Sequence, residues 1–401
     1  MRDRALRFRL AVLVALLTCG LFVATDANAP TRPGDPGSFT VHEWGTFTSI
    51  AGADGGAVEW TPLNSQDDLP CFVNRLRFGP KWSLRGTVRM ETPVLYFYAP
   101  TEVAVDIGVR FNQGVITEWY PDATVTPTAL PATAADAGRR LVDRIGTAAW
   151  TKVRVRPGAA PDFPREDSPS HYYPARETDA APVQVGKALE RFLFYRGVGA
   201  FPPPVNALVQ PDGRIVVSAR TDAPLGDIIA FDNRGGTVTY LALRENGQQT
   251  TIDPALLTQH PAGSLNDHFE RVLIANGLYP KEARAMIATW RDTWFEEGAR
   301  LFYIAPQPSV EAVLPLQFAP RPADVARVFV GRIELMTPRT IADVKSGLLA
   351  NHEATLAKYG RFMEPFADRM MAESSPIERV AMGRALQIIY RNWRPPLSGC
   401  R

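Results

Sequence analysis

Four glutamates stand where a carboxylate is unexpected. Glu43 lies in FTVHEWGTFTSI, Phe39 to Ile50. In an extended strand Phe39, Val41, Glu43, Gly45 and Phe47 share one face, and Thr40, His42, Trp44, Thr46 and Thr48 the other. The first set is the apolar one, so the spacing aims a carboxylate at a core. A carboxylate there either takes up a proton or is held by an arginine or a metal, and both make it a candidate site residue. A bulge at Gly45 that turns Glu43 outward is the structural alternative. Arg89, Arg110 and Arg196, each in a predicted strand, are the expected partners. Glu118 extends the theme, because Glu-Trp recurs at 43–44, 59–60 and 118–119. On a strand each pair sends a carboxylate and an indole to opposite faces. Carboxylates with stacking platforms are the equipment of a sugar site, and two of them serve glycoside hydrolysis. Core tryptophans with arginine-paired glutamates are the plain alternative, and no spacing brings two of these glutamates together. Glu296 and Glu297, in TWFEEG, fall in the predicted last turn of a helix, where negative charge opposes the dipole. Arg300 or Arg291 is the simple compensator; a cation or a substrate group is the other.

The binding candidates are His42, Trp44, Arg196 and the loop SHYYPARETD, which bundles His171, Tyr172, Tyr173 and Arg176. That density suits ligand contact and equally a loop pinned to a surface. The five histidines show neither H-x-H nor H-E-x-x-H spacing, so no metal motif is present and no cofactor is implied. Only a site assembled from distant strands, such as His42 with His171, would change that. Phosphate loops, dinucleotide fingerprints and nucleophile elbows are absent.

The elements that must carry these residues divide the 401-residue chain unevenly. Residues 1–29 read as a cleaved leader: four arginines, the apolar run Leu10–Ala24, then Ala27-Asn28-Ala29. A lipoprotein signal at Cys19 is the weaker reading. The leader holds four arginines and two aspartates, so the 44 basic and 42 acidic side chains become 40 and 40 after its removal. That balance gives no electrostatic case for nucleic acid or for an anionic membrane surface, and no later apolar run is long enough to span a bilayer. Residues 30–38 form a Pro-Gly tether. Residues 39–125 alternate in period 2 and predict a β-sandwich-like domain, with VLYFYA as a central strand and a hairpin through NQG, Asn112 to Gly114. Residues 126–183 are a long loop-rich excursion carrying the strand WTKVRVRP. Residues 184–255 predict a second antiparallel unit, turned by PDGR and DNRGG. From 256 to 401 the pattern becomes α/β and then helical. Ser264 and Asp267 resemble a capping box, Gly277 a helix stop, and Pro280 a first helical residue. The fold class is α+β, with antiparallel sandwich-like units first and a mixed, mainly helical C-terminal region.

Of the cysteines, Cys71 and Cys400 remain after leader removal. An even pair bound for an oxidising compartment predicts a Cys71–Cys400 disulfide.

VHEWGTFT, METPVLYFY, FLFYRGVG and TWRDTWFEEGARLFYIAP together resemble a group of uncharacterised secreted bacterial proteins with the same motif order. The resemblance spans about Phe39 to Leu335. It implies a bacterial source and a place outside the cytoplasm, and carries no activity. The expectation is therefore a secreted or periplasmic β-rich protein that binds an extracellular or envelope glycan. A carboxylate-dependent polysaccharide hydrolase and a structural envelope component without a ligand are the alternatives.

Overall fold

Aromatic and β-branched runs bounded by glycine, proline and asparagine become strands, because such side chains pack well on a pleated, half-buried surface. The structure, a computed structural model, describes residues 37–62, 68–76, 84–128, 141–350 and 352–392. The expected leader, Cys19 and Cys400 lie outside the described residues.

The strands in the first part are β1 (Thr40–Ile50), β2 (Asn74–Arg75), β3 (Val88–Tyr98), β4 (Val103–Asn112), β5 (Gly114–Tyr120), β6 (Thr124–Thr126) and β7 (Ile145–Val155). Then come β8 (Val183–Val185), β9 (Ala188–Glu190), β10 (Leu193–Gly199), β11 (Val205–Val209), β12 (Ile215–Ala219), β13 (Gly226–Arg234), β14 (Thr237–Glu245) and β15 (Gln249–Ile252). Helices enter late: α1 (Ser264–Ala275), α2 (Pro280–Trp294), β16 (Gly298–Ile304), α3 (Gln307–Val313), β17 (Leu316–Ala319) and β18 (Asp324–Leu335). The chain then runs through α4 (Pro338–Ala350), α5 (His352–Tyr359), α6 (Met363–Glu373) and α7 (Pro376–Asn392). The class is α+β, with the sheets early and most helices late.

One nine-stranded sheet, ordered β14-β13-β16-β18-β1-β3-β10-β5-β2, organises the molecule. Its first face packs on a six-stranded sheet (β17-β4-β7-β8-β9, with β6 on β7) and on the three-stranded β11-β12-β15. Phe47, Phe97, Val109, Trp150, Ala207 and Phe329 belong to that one core. The second face is covered by α1, α2 and the turn Tyr173–Arg176, with Trp44, Phe194, Trp290 and Trp294 between, and by α4–α7 around Trp60 and Phe362. The stretches 39–125, 184–255 and 256–401 therefore share one sheet instead of folding apart. Its centre is the parallel pair β1–β18, which joins Thr40 to Asp324.

Turn signals carried by adjacent residues are realised. Gly235 and Gly236 both have positive φ and form the two-residue turn of the β13–β14 hairpin, the geometry that matches strand twist. β11 and β12 pair around the PDGR turn. The expected hairpin at NQG does not form: β4 pairs with β7 and β17, β5 with β10 and β2. Gln113, at φ +58°, turns the chain from one sheet into the other. The capping box is also absent. Ser264 is already helical, Gly263 is the cap, and the Ser264 hydroxyl lies 3.0 Å from the Tyr240 hydroxyl.

Candidate functional site

The four motif segments are far apart in sequence and adjacent in space. VHEWGTFT is in β1, METPVLYFY in β3, FLFYRGVG reaches into β10, and TWRDTWFEEGARLFYIAP spans the end of α2 and β16. On the helix-covered face they lay charged side chains in a row across the sheet. Glu118 on β5 sits opposite Arg196 on β10. Glu91 and Arg89 on β3 face Thr46 and Thr48 on β1. Thr48 faces Arg332 on β18, and Glu334 faces Arg300 on β16. Three register irregularities interrupt these same strands, at Trp44/Thr46, Phe194/Gly197 and Arg196/Gly197. Bulges of this kind re-aim side chains. Thr92, β-branched yet at φ +50°, sits within them and precedes Pro93, a costly conformation held by its surroundings.

Each end of the row is anchored by ion pairs. Arg196 donates to both Asp68 oxygens at 2.7 and 2.8 Å and lies 5.6 Å over the Trp290 ring. His171 bridges Asp68 (2.9 Å) and Asp292 (2.7 Å). Burial pulls the His171 pKa down, but its hydrogen bonds to Asp292 and Asp68 outweigh this and hold it at about 9. It is an imidazolium at neutral pH. Burial raises the Asp68 pKa, yet Arg196 and His171 bring it well below the usual carboxylate value. At the other end Glu334 accepts from Arg300 (2.7 Å) and Arg332 (2.8 Å), and Arg332 also reaches Glu296 at 2.6 Å. Glu91 accepts from Thr48 at 2.8 Å and pairs with Arg361. Six cations (Arg89, Arg196, Arg300, Arg332, Arg361, His171) are thus balanced by six carboxylates (Asp68, Glu91, Glu118, Asp292, Glu296, Glu334). The row is formally neutral, with Arg89 also donating to the Trp60 and Leu84 carbonyls.

The four predicted catalytic glutamates do not converge. Glu43 is on the opposite face, fully buried, with Oε1 taking the Tyr195 hydroxyl (2.5 Å) and Oε2 the Arg327 guanidinium (2.6 Å). It points inward with Trp44 on the other face, as its spacing predicts, but its partner is Arg327, its register mate on β18, and not Arg89, Arg110 or Arg196. Helix α2 ends at Trp294, so Glu296 and Glu297 follow it instead of closing it. Arg300 donates to the carbonyls of Trp294, Glu296 and Glu297, the compensation expected of it. Glu297 pairs with Lys358 at 2.8 Å. Among the described residues, Glu118 has only the Thr117 hydroxyl, at 2.5 Å, as its side-chain hydrogen-bond donor.

The binding candidates divide likewise. His42 and His171 both touch α2 but at its two ends, through Glu282 (2.8 Å) and Asp292. Ten helical residues separate those carboxylates, about 15 Å at 1.5 Å per residue, so the two histidines make no joint site. Tyr98 also donates to Glu282, at 2.7 Å. Trp44 is a core residue. Tyr172 is buried against Phe194 and donates to Glu190. Arg176 pairs with Glu190 at 2.6 Å, and the Tyr173 hydroxyl accepts from the Glu166 amide. That loop is pinned to the sheet. Cys71 donates its amide to Glu166, while its expected disulfide partner Cys400 lies outside the described residues. Among the described residues no group of three or more His, Cys, Asp or Glu is placed to hold a metal ion, and no helix is long and apolar enough to cross a membrane.

A groove of about 570 Å³ opens beside this covered face, within the roughly 300–1,000 Å³ typical of small-molecule sites. The β13–β14 hairpin, residues 259–263, the start of α1 and Phe295 wall it. His260 lies on Tyr240, ring centroids 4.1 Å apart. Tyr240 is anchored through its backbone to Thr258 and through its hydroxyl to Ser264. Thr237, Gln259, Ser264 and Asn266 supply hydroxyls and amides, and the lining includes no Asp, Glu, Lys or Arg. Sequence reading missed this site. Its one signal was the polar turn TQHPAGSLND between two predicted elements, which names no ligand.

No protein-family model matches the chain, and no curated protein matches it.

Proposed function

We propose that this is a secreted or periplasmic bacterial protein that binds a neutral glycan, of extracellular or envelope origin, in the groove around Tyr240 and His260. The observation that carries the reading is the lining: two aromatic rings in contact at a 33° tilt, four hydrogen-bonding amide and hydroxyl side chains, and no carboxylate, ammonium or guanidinium. Aromatic faces are electron-rich and receive the C–H edges of a sugar ring, while amides and hydroxyls pair with its hydroxyls. Cleavage would need two carboxylates about 5–10 Å apart. With Glu43 across the sheet and Glu296 and Glu297 in ion pairs, hydrolysis is the weaker reading. The structural envelope role is supported by the buried Trp44, Trp60, Trp150 and Trp294, and is distinguished by whether any glycan binds. The leader at 1–29 and a Cys71–Cys400 disulfide belong to the same reading of an exported protein.

Calorimetric titration with neutral gluco-, manno- and galacto-configured oligosaccharides tests it. At least one series binds, and His260→Ala weakens that binding about tenfold, the loss of one stacking contact, without lowering the melting temperature. Binding of none of them, or binding untouched by His260→Ala and Tyr240→Phe/Asn266→Ala, overturns the proposal.

A further inference from the structure

Helix α7 has two apolar faces. Met382, Ala385, Leu386 and Ile389 are buried against the other C-terminal helices. On the opposite side Ile377 is 84%, Val380 57% and Ile388 41% exposed. At 3.6 residues per turn Ile377, Val380, Arg384 and Ile388 fall within about 80° of one another, one continuous outward stripe. A helix that is apolar on both sides ordinarily has both covered, so this stripe calls for an occupant.

The charge around it says which kind. Glu378 is held by Lys345 at 2.7 Å. Arg379 and Arg384 have no ion-pair partner among the described residues. From Pro376 to Arg401 the sequence has five arginines (379, 384, 391, 394 and 401) against Glu378 alone. The chain's overall neutrality hides this local excess. Aliphatic side chains in line with the free Arg384 guanidinium, with Arg379 on the flank, are the pattern of a helix lying in the headgroup region of a bilayer. There the apolar stripe enters the acyl boundary, and arginines stretch back to anionic phosphates.

We propose that the outward face of α7 docks the protein on an anionic lipid surface. The helix lies along the surface and does not cross it. This goes beyond the glycan reading and is independent of it, since the stripe and the groove share no residue.

The test uses the chain from residue 30 onward, which retains every described element and lacks the apolar run Leu10–Ala24. It is mixed with vesicles of phosphatidylcholine alone or with phosphatidylglycerol, and sedimentation is measured against salt. Binding to the anionic vesicles only, weakened by salt and by about tenfold or more in Ile377→Asp/Ile388→Asp, is the expected result. Arg384→Glu weakens it as well. Unchanged circular dichroism and melting temperature in the variants separate lost docking from lost folding. Failure to bind anionic vesicles overturns the proposal, as does binding that the variants leave unchanged. A dimer in light scattering that Ile377→Asp/Ile388→Asp dissociates, without vesicle binding, assigns the stripe to a second copy instead.

Discussion

The charged row and the polar groove lie on the same side of the nine-stranded sheet and have opposite chemistry. In the row almost every ionised group meets an opposite charge at 2.6–2.9 Å. Among the described residues Glu118, which accepts only from Thr117, is the exception, and most of the desolvated charges repay their burial through one another. In the groove no side chain is a carboxylate, ammonium or guanidinium, and the amides of Gln259 and Asn266 line open space. Charge density and a strained Thr92 draw the eye to the row, because shifted pKa values and backbone strain gather at functional sites. Closure decides otherwise. A closed network ties α2 and the C-terminal helices to the sheet, and an open polar surface is what the proposed glycan binding requires.

The sharpest way to break that contrast is to open the row. Glu334→Leu leaves Arg300 and Arg332 without their shared carboxylate, and both are fully buried. We expect about 3–5 kcal/mol of lost stability in denaturant titration. A variant as stable as the parent would show that the row does not hold the helices in place.

Proton linkage gives the next largest effect. The His171 pKa is raised from 6.5 to about 9, so the folded state binds the proton more tightly than the unfolded chain. Its contribution is complete below about pH 6.5 and is lost as pH rises through about 9, at most roughly 3 kcal/mol. Solvent around Asp292, whose side chain is 63% exposed, screens part of this. On the acid side, the lowered Asp68 pKa gives stability that is present above the usual carboxylate range and lost below it. Urea titrations at pH 7 and pH 9.5 should differ, and His171→Asn should remove most of the difference. An unchanged pH profile in that variant would place the titration elsewhere.

The smallest expected effect sharpens the contrast most. Among the described residues Glu118 makes no ion pair within 4 Å, and its side chain accepts only from Thr117. Glu118→Gln keeps an acceptor for Thr117 and should cost about 1 kcal/mol, and on the proposed reading leaves glycan affinity unchanged. A tenfold loss of affinity would mean that the row contributes to the ligand site after all.

Much of the local structure was legible. The Gly-Gly turn of β13–β14, the PDGR turn, Pro280 at the start of α2, Gly277 after α1 and the inward aim of Glu43 all follow from neighbours in sequence. What failed was long-range. The NQG segment has every mark of a hairpin, yet its flanking strands pair in two different sheets. Period-2 alternation reports a half-buried strand and says nothing about its partner.

By itself the sequence determined the class, the order of strands before helices, the turn positions and which side of β1 carries the carboxylate, because backbone preference and side-chain alternation act over a few residues. The tertiary structure alone decided that Glu43 meets Arg327, 284 residues away, and that Asp68, His171 and Asp292 meet. It alone made a groove from a hairpin tip and the start of a helix. Those outcomes depend on which strands pair and which faces are covered, and burial energy is a sum over the whole core that no short segment contains.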